Sequence, residues 1–230
     1  MPEHEPLRPL SASQRATLEE ATTTYQAALT GHAAQYLLGR GITPAEAATY
    51  RLGVVTDPLP GHERQAGRLA IPYIGHDGRV LTMRFRCLEE HNHRDLGHGK
   101  YHSLKDDPPR LYGVDAIHTA GDEIHVTEGE LDAITLRRIG LHAVAVPGAA
   151  LWRPRHRRML AGFSRVWVWG DPDEAGAELI TRVSRSLRTA QGVRLRDGDV
   201  TETYMAEGAE ALLDLVPSAA HDPHAYRLAS

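Results

Sequence analysis

Glu123-Ile-His-Val-Thr-Glu-Gly-Glu-Leu-Asp132 and, about forty residues on, Arg165-Val-Trp-Val-Trp-Gly-Asp-Pro-Asp-Glu-Ala-Gly176 share one layout. A short run with strand character stops at a carboxylate, a glycine stands beside it, and a helical pattern takes over. In the first stretch Ile124 and Val126 alternate with polar neighbours. Gly129 permits a sharp turn after Glu128, and Ala133, Ile134, Leu136, Arg137 and Ile139 suit a helix stopped by Gly140. In the second, Arg165 to Trp169 is apolar at four of five places, and Ala175, Leu179, Val183 and Leu187 recur at four-residue spacing, with Ile180 widening the stripe. Between them lie another apolar run, His142 to Val146, closed by Pro147-Gly148, and a helix-compatible stretch from Trp152 to Leu160. This β-α-β-α-β-α order predicts a parallel sheet covered by helices. Ligands of such sheets bind outside the carboxyl ends of the strands, where Glu128, Asp171 and Asp173 all fall.

Acids in that position suggest a divalent metal. Pro172 favours an extended Asp171, so Asp171 and Asp173 can leave a short loop on one side and offer oxygens to a hard cation. Magnesium is held by one or two carboxylates plus water and substrate phosphates, so a sparse acid cluster suits it and a phosphate ester is the expected partner. Capping of the following helix is the competing use of an Asp-x-Asp pair. A third acid at a neighbouring strand end tips the balance to metal.

Glu128-Gly129 after an apolar strand, a second apolar strand ending in Asp171-x-Asp173, and Gly176 just inside the next helix resemble the TOPRIM domain of topoisomerases, primases and some nucleases. The wording is most similar to the catalytic core of bacterial and phage DnaG-type primases, in which Glu-Gly-x-x-Asp and Asp-x-Asp-x-Ala-Gly recur.

Composition bounds the rest. The 230 residues suffice for one large or two small domains, and the net charge of −4 gives no global basic signature, so any nucleic-acid contact must be local. The single cysteine, Cys87, excludes a disulfide framework and also a four-cysteine zinc ribbon of the kind that precedes the core of bacterial primases. With no long apolar run and no apolar signal core, the expectation is a soluble, intracellular, cytoplasmic protein with no membrane partner.

The upstream half adds to the resemblance. Residues 1–12 read as a frayed tail, a helix is expected from Ser13 to Leu29 with Leu18, Tyr25, Ala28 and Leu29 inward, a second from His32 to Leu38, and a third capped by Thr43 with Pro44 at its first position. The stretch from Ala34 to Val54 is similar to the helical opening of the DnaG core. Arg68 to Tyr73, an Asp77-Gly78 turn and Val80 to Arg86 predict a β-hairpin. The resemblance implies that Arg68 and Arg86 contact nucleotide phosphate or template; Arg84 shares the face of Arg86 by strand alternation. Arginines on a hairpin are also commonly just solvated.

His91 to Tyr101 reads as a polar loop in which His91, His93, His98 and His102 suit zinc or nickel by type, but without the strand framework of a structural site, and no zinc is expected. Gly99-Lys100-Tyr101 resembles the Lys-Tyr step of primases, where the lysine meets phosphate, and Leu111-Tyr112-Gly113 repeats the family's Leu-Tyr-Gly. Asp107 stands where primases carry a second lysine, with Lys105 and Arg110 as nearby substitutes. The dense basic run from Arg153 to Arg158 suits a nucleic-acid backbone or a solvated helix face equally. Val193 to Tyr204 resembles the family's fourth strand and acidic loop with tighter spacing and no proline; Asp199 is its metal-facing acid and Asp197 a weaker one. A closing helix is expected from Ala209 to Leu215.

The expected architecture is an α+β lobe over residues 13–120, a TOPRIM parallel sheet flanked by helices over 121–216, and a tail over 217–230. The resemblance implies a DNA primase core that builds RNA primers on single-stranded DNA from nucleoside triphosphates, with a replicative helicase as a further candidate partner. Glu128, Asp171, Asp173 and Asp199 would bind Mg2+ or Mn2+, with Glu128, Asp171 and Asp173 catalytic. Asp132 would orient them from behind, and Arg68, Arg84, Arg86 and Lys100 would hold nucleotide or template. The alternatives are a TOPRIM nuclease using the same acids and a non-catalytic module binding single-stranded DNA or a helicase.

Overall fold

The structure, a computed structural model, describes residue 7, residues 9–93 and residues 95–216. Part of the expected N-terminal tail and all of the tail expected over 217–230 lie outside the described residues. The chain divides into two compact units, Met1–Asp115 and Ala116–Ser230. Among the described residues no helix is long and apolar enough to cross a membrane.

The first unit opens with α1 (Ala12–Ala27), α2 (Gly31–Gly39) and α3 (Pro44–Thr49). The first starts one residue before the expected Ser13, because Ser11 forms a capping box with Gln14: each side chain bonds the other's backbone N–H, at 3.1 and 2.9 Å. It buries Leu18, Ala21, Thr22 and Tyr25. Thr43 caps α3 with Pro44 inside it, as the sequence predicts. The expected hairpin is β2 (Leu69–Ile74) with β3 (Val80–Arg86), and it belongs to an antiparallel sheet ordered β1-β2-β3-β4, with β1 at Gly53–Val54 and β4 at Tyr101–Ser103. Ala21 and Tyr25 of α1 pack with Val55, just after β1, and with Ala70, Met83 and Phe85 of the sheet. The Tyr25 hydroxyl is satisfied inside this core, 2.8 Å from His62 Nδ1 and accepting the Leu59 N–H at 3.0 Å.

The second unit runs α4 (Ala116–Thr119), β5 (Glu123–Thr127), α5 (Glu130–Arg138), β6 (Ala143–Ala145), α6 (Pro154–Leu160), β7 (Arg165–Gly170), α7 (Glu174–Ser186), β8 (Ala190–Arg194), α8 (Val200–Glu207) and α9 (Ala209–Leu213). Its strands form one parallel sheet in the order β6-β5-β7-β8. Burial on both faces explains the near-continuous apolar text of β7. The indoles it must bury keep their N–H groups satisfied: Trp169 donates to His125 Nδ1 at 3.0 Å and Trp167 to Glu123 at 2.9 Å. Helix α8 is absent from the sequence-based expectation, which follows the fourth strand directly into a loop.

The strand order fixes the site. From β5 the chain crosses outward to β6, and from β7 it crosses the other way to β8. The direction of winding therefore reverses between β5 and β7, and the crevice opened by such a reversal lies past the carboxyl ends of the two strands.

Candidate metal centre

Glu128 follows β5 and Asp171 follows β7, so the two acids flank that crevice. Two close backbone approaches hold them. A Cβ on Gly176 would stand 2.3 Å from both the N and the O of Asp171, and one on Gly170 would stand 2.6 Å from the Gly176 carbonyl. Only glycine lets the first turn of α7 sit this tightly against the end of β7. Beyond β6, Gly148 adopts φ +118°, a conformation side chains resist, and the next residue, Ala149, donates its N–H to the Glu128 carboxylate.

The electrostatics are those of half-buried acids crowded by one another's charge. The Asp171 carboxyl is pushed up to about 7, first by burial and then by the negative charges of Asp199, Glu128, Asp173 and Glu202. Burial likewise raises Glu128, with Asp173, Asp132 and Glu178 adding to it and the Ala149 N–H opposing. Glu128 Oε2 is buried with no hydrogen-bond partner among the described residues. Such an arrangement is costly unless a cation or a proton neutralises it.

Asp173 and Asp199 have double duties. Asp173 is exposed and is the N-cap of α7, its Oδ1 accepting the Gly176 N–H at 2.8 Å. Asp199 caps α8 in a capping box with Glu202, its Oδ1 accepting the Glu202 N–H at 2.8 Å. The capping use weighed from sequence is therefore real for Asp173, and it coexists with a place in the acid field. Asp197 is exposed and raises neither shifted acid. Asp132 is buried in α5, and its Oδ1 accepts from Thr201 at the start of α8, through the N–H at 3.1 Å and the hydroxyl at 2.8 Å. It thus ties the helix beginning beside Asp199 to the helix following Glu128.

Three acids escaped the sequence reading. Glu202 and Glu178 contribute to the field, and Glu130 is wholly buried at the start of α5. Glu130 was signalled by its position two residues after Glu128; Glu202 required knowing that α8 exists.

In the first unit the predicted basic residues gather around β4. Arg84 and Arg86 lie over the Tyr101 ring, with 4.6 and 5.2 Å from guanidinium carbon to ring centroid, and Arg86 also faces Tyr36 at 5.2 Å. Arg68 donates to the Gly99 carbonyl at 3.3 Å and lies 3.1 Å from His98 Nδ1. These three arginines are at most 9% exposed, which departs from the solvated alternative, whereas Lys100 is exposed. Among the described residues neither Arg68 nor Arg86 meets a carboxylate. Lys105 is exposed and Arg110 pairs with Asp107 at 3.6 Å, so Arg110 is engaged by the residue that departs from the primase pattern. In the basic run, His156 is buried, Arg157 bonds the Ser186 carbonyl and Arg153 the Ala150 carbonyl, so part of it serves local structure.

A four-stranded parallel sheet carrying acids at this reversal defines a Toprim protein, and the family model for the Toprim domain matches residues 122–197. The chain belongs to the family of the Gene 57 protein of Mycobacterium phage D29, with 34% identity over 155 residues, covering 65% of this chain and 98% of that one. The DNA primase of Clostridium acetobutylicum is 28% identical over 166 residues, 69% of this chain but 28% of the primase, so the chain matches little more than a quarter of that enzyme. The fold is that of the DnaG catalytic core. The RNA polymerase domain of Mycobacterium tuberculosis DnaG, solved with double-stranded DNA, superposes with a TM-score of 0.72 at 22% identity, covering 90% of this chain and 80% of that one. A DnaG primase catalytic domain solved with single-stranded DNA gives 0.67 at 21% identity, covering 89% and 79%.

Proposed function

We propose that this chain is a DNA primase core that joins ribonucleoside triphosphates into short RNA primers on single-stranded DNA. The observation that carries the reading is Asp171, driven to about 7 by burial and by Asp199, Glu128 and Asp173 at the strand reversal of a DnaG-type fold. A cluster of oxygen donors that repel one another, with Glu128 Oε2 orphaned among them, fits a hard divalent cation such as Mg2+ or Mn2+. Glu128, Asp171, Asp173 and Asp199 would hold it. When bound, such ions neutralise charge on the reacting phosphates and on the pyrophosphate that leaves.

The chain's own groups do the rest. The raised Glu128 carboxylate, steadied by the Ala149 N–H, is suited to accept the proton of the primer 3′-hydroxyl as its oxygen attacks the α-phosphorus and pyrophosphate departs. Asp132 keeps α8 and its capping Asp199 in place through Thr201. Arg68, Arg84, Arg86 and Lys100 bind triphosphate or template; Arg68 and Arg86, buried and meeting no carboxylate among the described residues, are suited to a phosphate. A nuclease would use the same acids, but it gives no role to this arginine-bearing N-terminal lobe.

The test is a priming assay with single-stranded DNA of mixed sequence, labelled nucleotides, and magnesium or manganese, run beside Glu128→Gln and Asp171→Asn. Labelled short oligonucleotides from the parent and from neither variant are the expected result. Template shortening without synthesis would assign the acids to a nuclease, and metal-indifferent DNA binding without chemistry would leave a module that binds DNA or a helicase.

A further inference from the structure

We infer that the loop between β3 and β4 is a zinc site built from Cys87, His91, His93 and His98, separate from the acid centre. One donor atom from each of these four residues lies within 4.8 Å of the donors of the others. His91 Nε2 is 3.1 Å from His98 Nε2, and Cys87 Sγ is 3.9 Å from His91 Nε2. A tetrahedral zinc with Zn–N of about 2.0–2.1 Å and Zn–S of about 2.3 Å has N···N edges of about 3.3 Å and N···S edges of about 3.6 Å. The His91–His98 and Cys87–His91 separations thus already lie near those edges, and all four donors fall within 4.8 Å of one another. The three rings are mutually inclined, with centroids 4.5, 4.9 and 5.2 Å apart, and meet edge to face rather than stacking.

From sequence no zinc is expected, because the histidines fall on a loop without a strand framework. The structure supplies the frame. Cys87 directly follows β3, and its N–H is bonded to the Lys100 carbonyl at 2.8 Å, so both ends of the loop are tied to the sheet. The same bond brings the cysteine, not considered as a ligand from sequence, to the histidines. His98 Nδ1 faces away from the cluster, 3.1 Å from both the Gly99 carbonyl and the Arg68 guanidinium, which leaves Nε2 toward His91 as the ligating nitrogen. His93 Nδ1 is buried with no partner among the described residues. His102, the fourth histidine of the sequence motif, is turned toward Gln65 at 3.3 Å, its ring 6.3 Å from that of His98.

One thiolate with three imidazoles is a borderline-soft donor set that suits zinc and not magnesium. Binding displaces the Cys87 thiol proton to solvent. The bound ion would pin residues 87–98 and thereby fix the Gly99-Lys100-Tyr101 step that follows.

The experiment strips the full chain with a chelator and titrates it with zinc alone and with cobalt alone. The parent should take up one zinc per chain and give the intense visible bands of tetrahedral cobalt together with a thiolate-to-cobalt charge-transfer band. Cys87→Ser should lose the charge-transfer band, and His91→Ala with His93→Ala should lower zinc affinity at least a hundredfold. His102→Ala should bind as the parent does. Hydrogen exchange on the parent should show residues 88–99 more protected with zinc than without it, a readout that does not depend on any variant folding. Only weak octahedral cobalt spectra, a charge-transfer band surviving in Cys87→Ser, or unchanged exchange in the loop would overturn the site. The acid centre cannot mimic the positive result, since it contains no sulfur, and failure here leaves the priming assay untouched.

Discussion

Thr201 grips Asp132 twice, with its N–H at 3.1 Å and its hydroxyl at 2.8 Å on the same carboxylate oxygen, across 69 positions of sequence. Both groups are buried, so the bond is poorly screened, and a carboxylate accepting two donors makes it charge-assisted. Thr201→Val removes the hydroxyl and keeps the shape. It should cost about 1.5–3 kcal/mol in urea unfolding, and far less in an Asp132→Asn background, where the partner charge is already gone. Because α8 begins beside Asp199, magnesium affinity should fall as well. Equal costs in the two backgrounds would show that the pair is not coupled.

The acid cluster makes stability and metal binding respond to pH in opposite senses. Asp171 ionises at about 7 in the folded protein and near 3.8 when unfolded, so without metal the unfolded chain gives up its proton first. The Asp171 contribution to stability is therefore full below 3.8 and lost as pH rises toward about 7. Glu128, also raised, acts in the same direction. In chelator, the urea midpoint of the parent should drop between about pH 4 and about pH 7, and Asp171→Asn should flatten most of that drop. Magnesium requires the ionised acid, so its affinity should weaken up to tenfold per unit of pH below about 7. Calorimetric titration on either side of neutrality checks this, and a pH-independent affinity would remove Asp171 from the ligand set.

Gly176 offers a test of how rigidly the crevice is built. The atoms a methyl group would meet there, the Asp171 N and O at 2.3 Å, are backbone and cannot swing aside. Gly176→Ala has a helix-propensity gain of about 1 kcal/mol in its favour. The clash should outweigh that gain, leaving a net loss of about 1–3 kcal/mol, and should displace Asp171 enough to reduce metal-dependent activity at least tenfold. A stabilised, fully active variant would mean that α7 can retreat from β7 freely.

The centre of the second unit's sheet was legible because β5 and β7 carry apolar text and β7 is followed by a strong helical stripe; β5, β7 and α7 stand where the pattern puts them. Glu128, Asp171 and Asp173 could be placed at strand ends from the same pattern. What stayed hidden depended on pairing between distant segments. β4 has three residues and no apolar alternation, so only its bonds to β3 make it a strand. Helix α8 has hardly any amphipathic stripe, and its start is set by the Asp199 capping box and the Thr201–Asp132 bond. The convergence of Cys87 on three histidines likewise follows from the β3–β4 register, which no local spacing rule reports.

Arg86 is where the two possible meanings of a buried arginine can be separated. It is 9% exposed, covers the Tyr101 and Tyr36 rings and donates to the Tyr101 hydroxyl, yet meets no carboxylate among the described residues. If its purpose is structural, truncation should cost stability through lost packing and a broken hydrogen bond. If it is held for a phosphate, the folded protein bears an uncompensated buried charge, and an apolar side chain of similar length relieves it. Arg86→Met should therefore leave the melting temperature unchanged or raised while weakening triphosphate binding about tenfold or more, the loss of one charge-assisted bond of about 1.5–3 kcal/mol. Arg86→Lys should recover only part of the affinity, because an ammonium cannot keep the planar stack on the rings and present two donors together. Thermal melts with and without nucleoside triphosphate read both quantities in one experiment. A lowered melting temperature with undiminished nucleotide stabilisation would make Arg86 a packing residue.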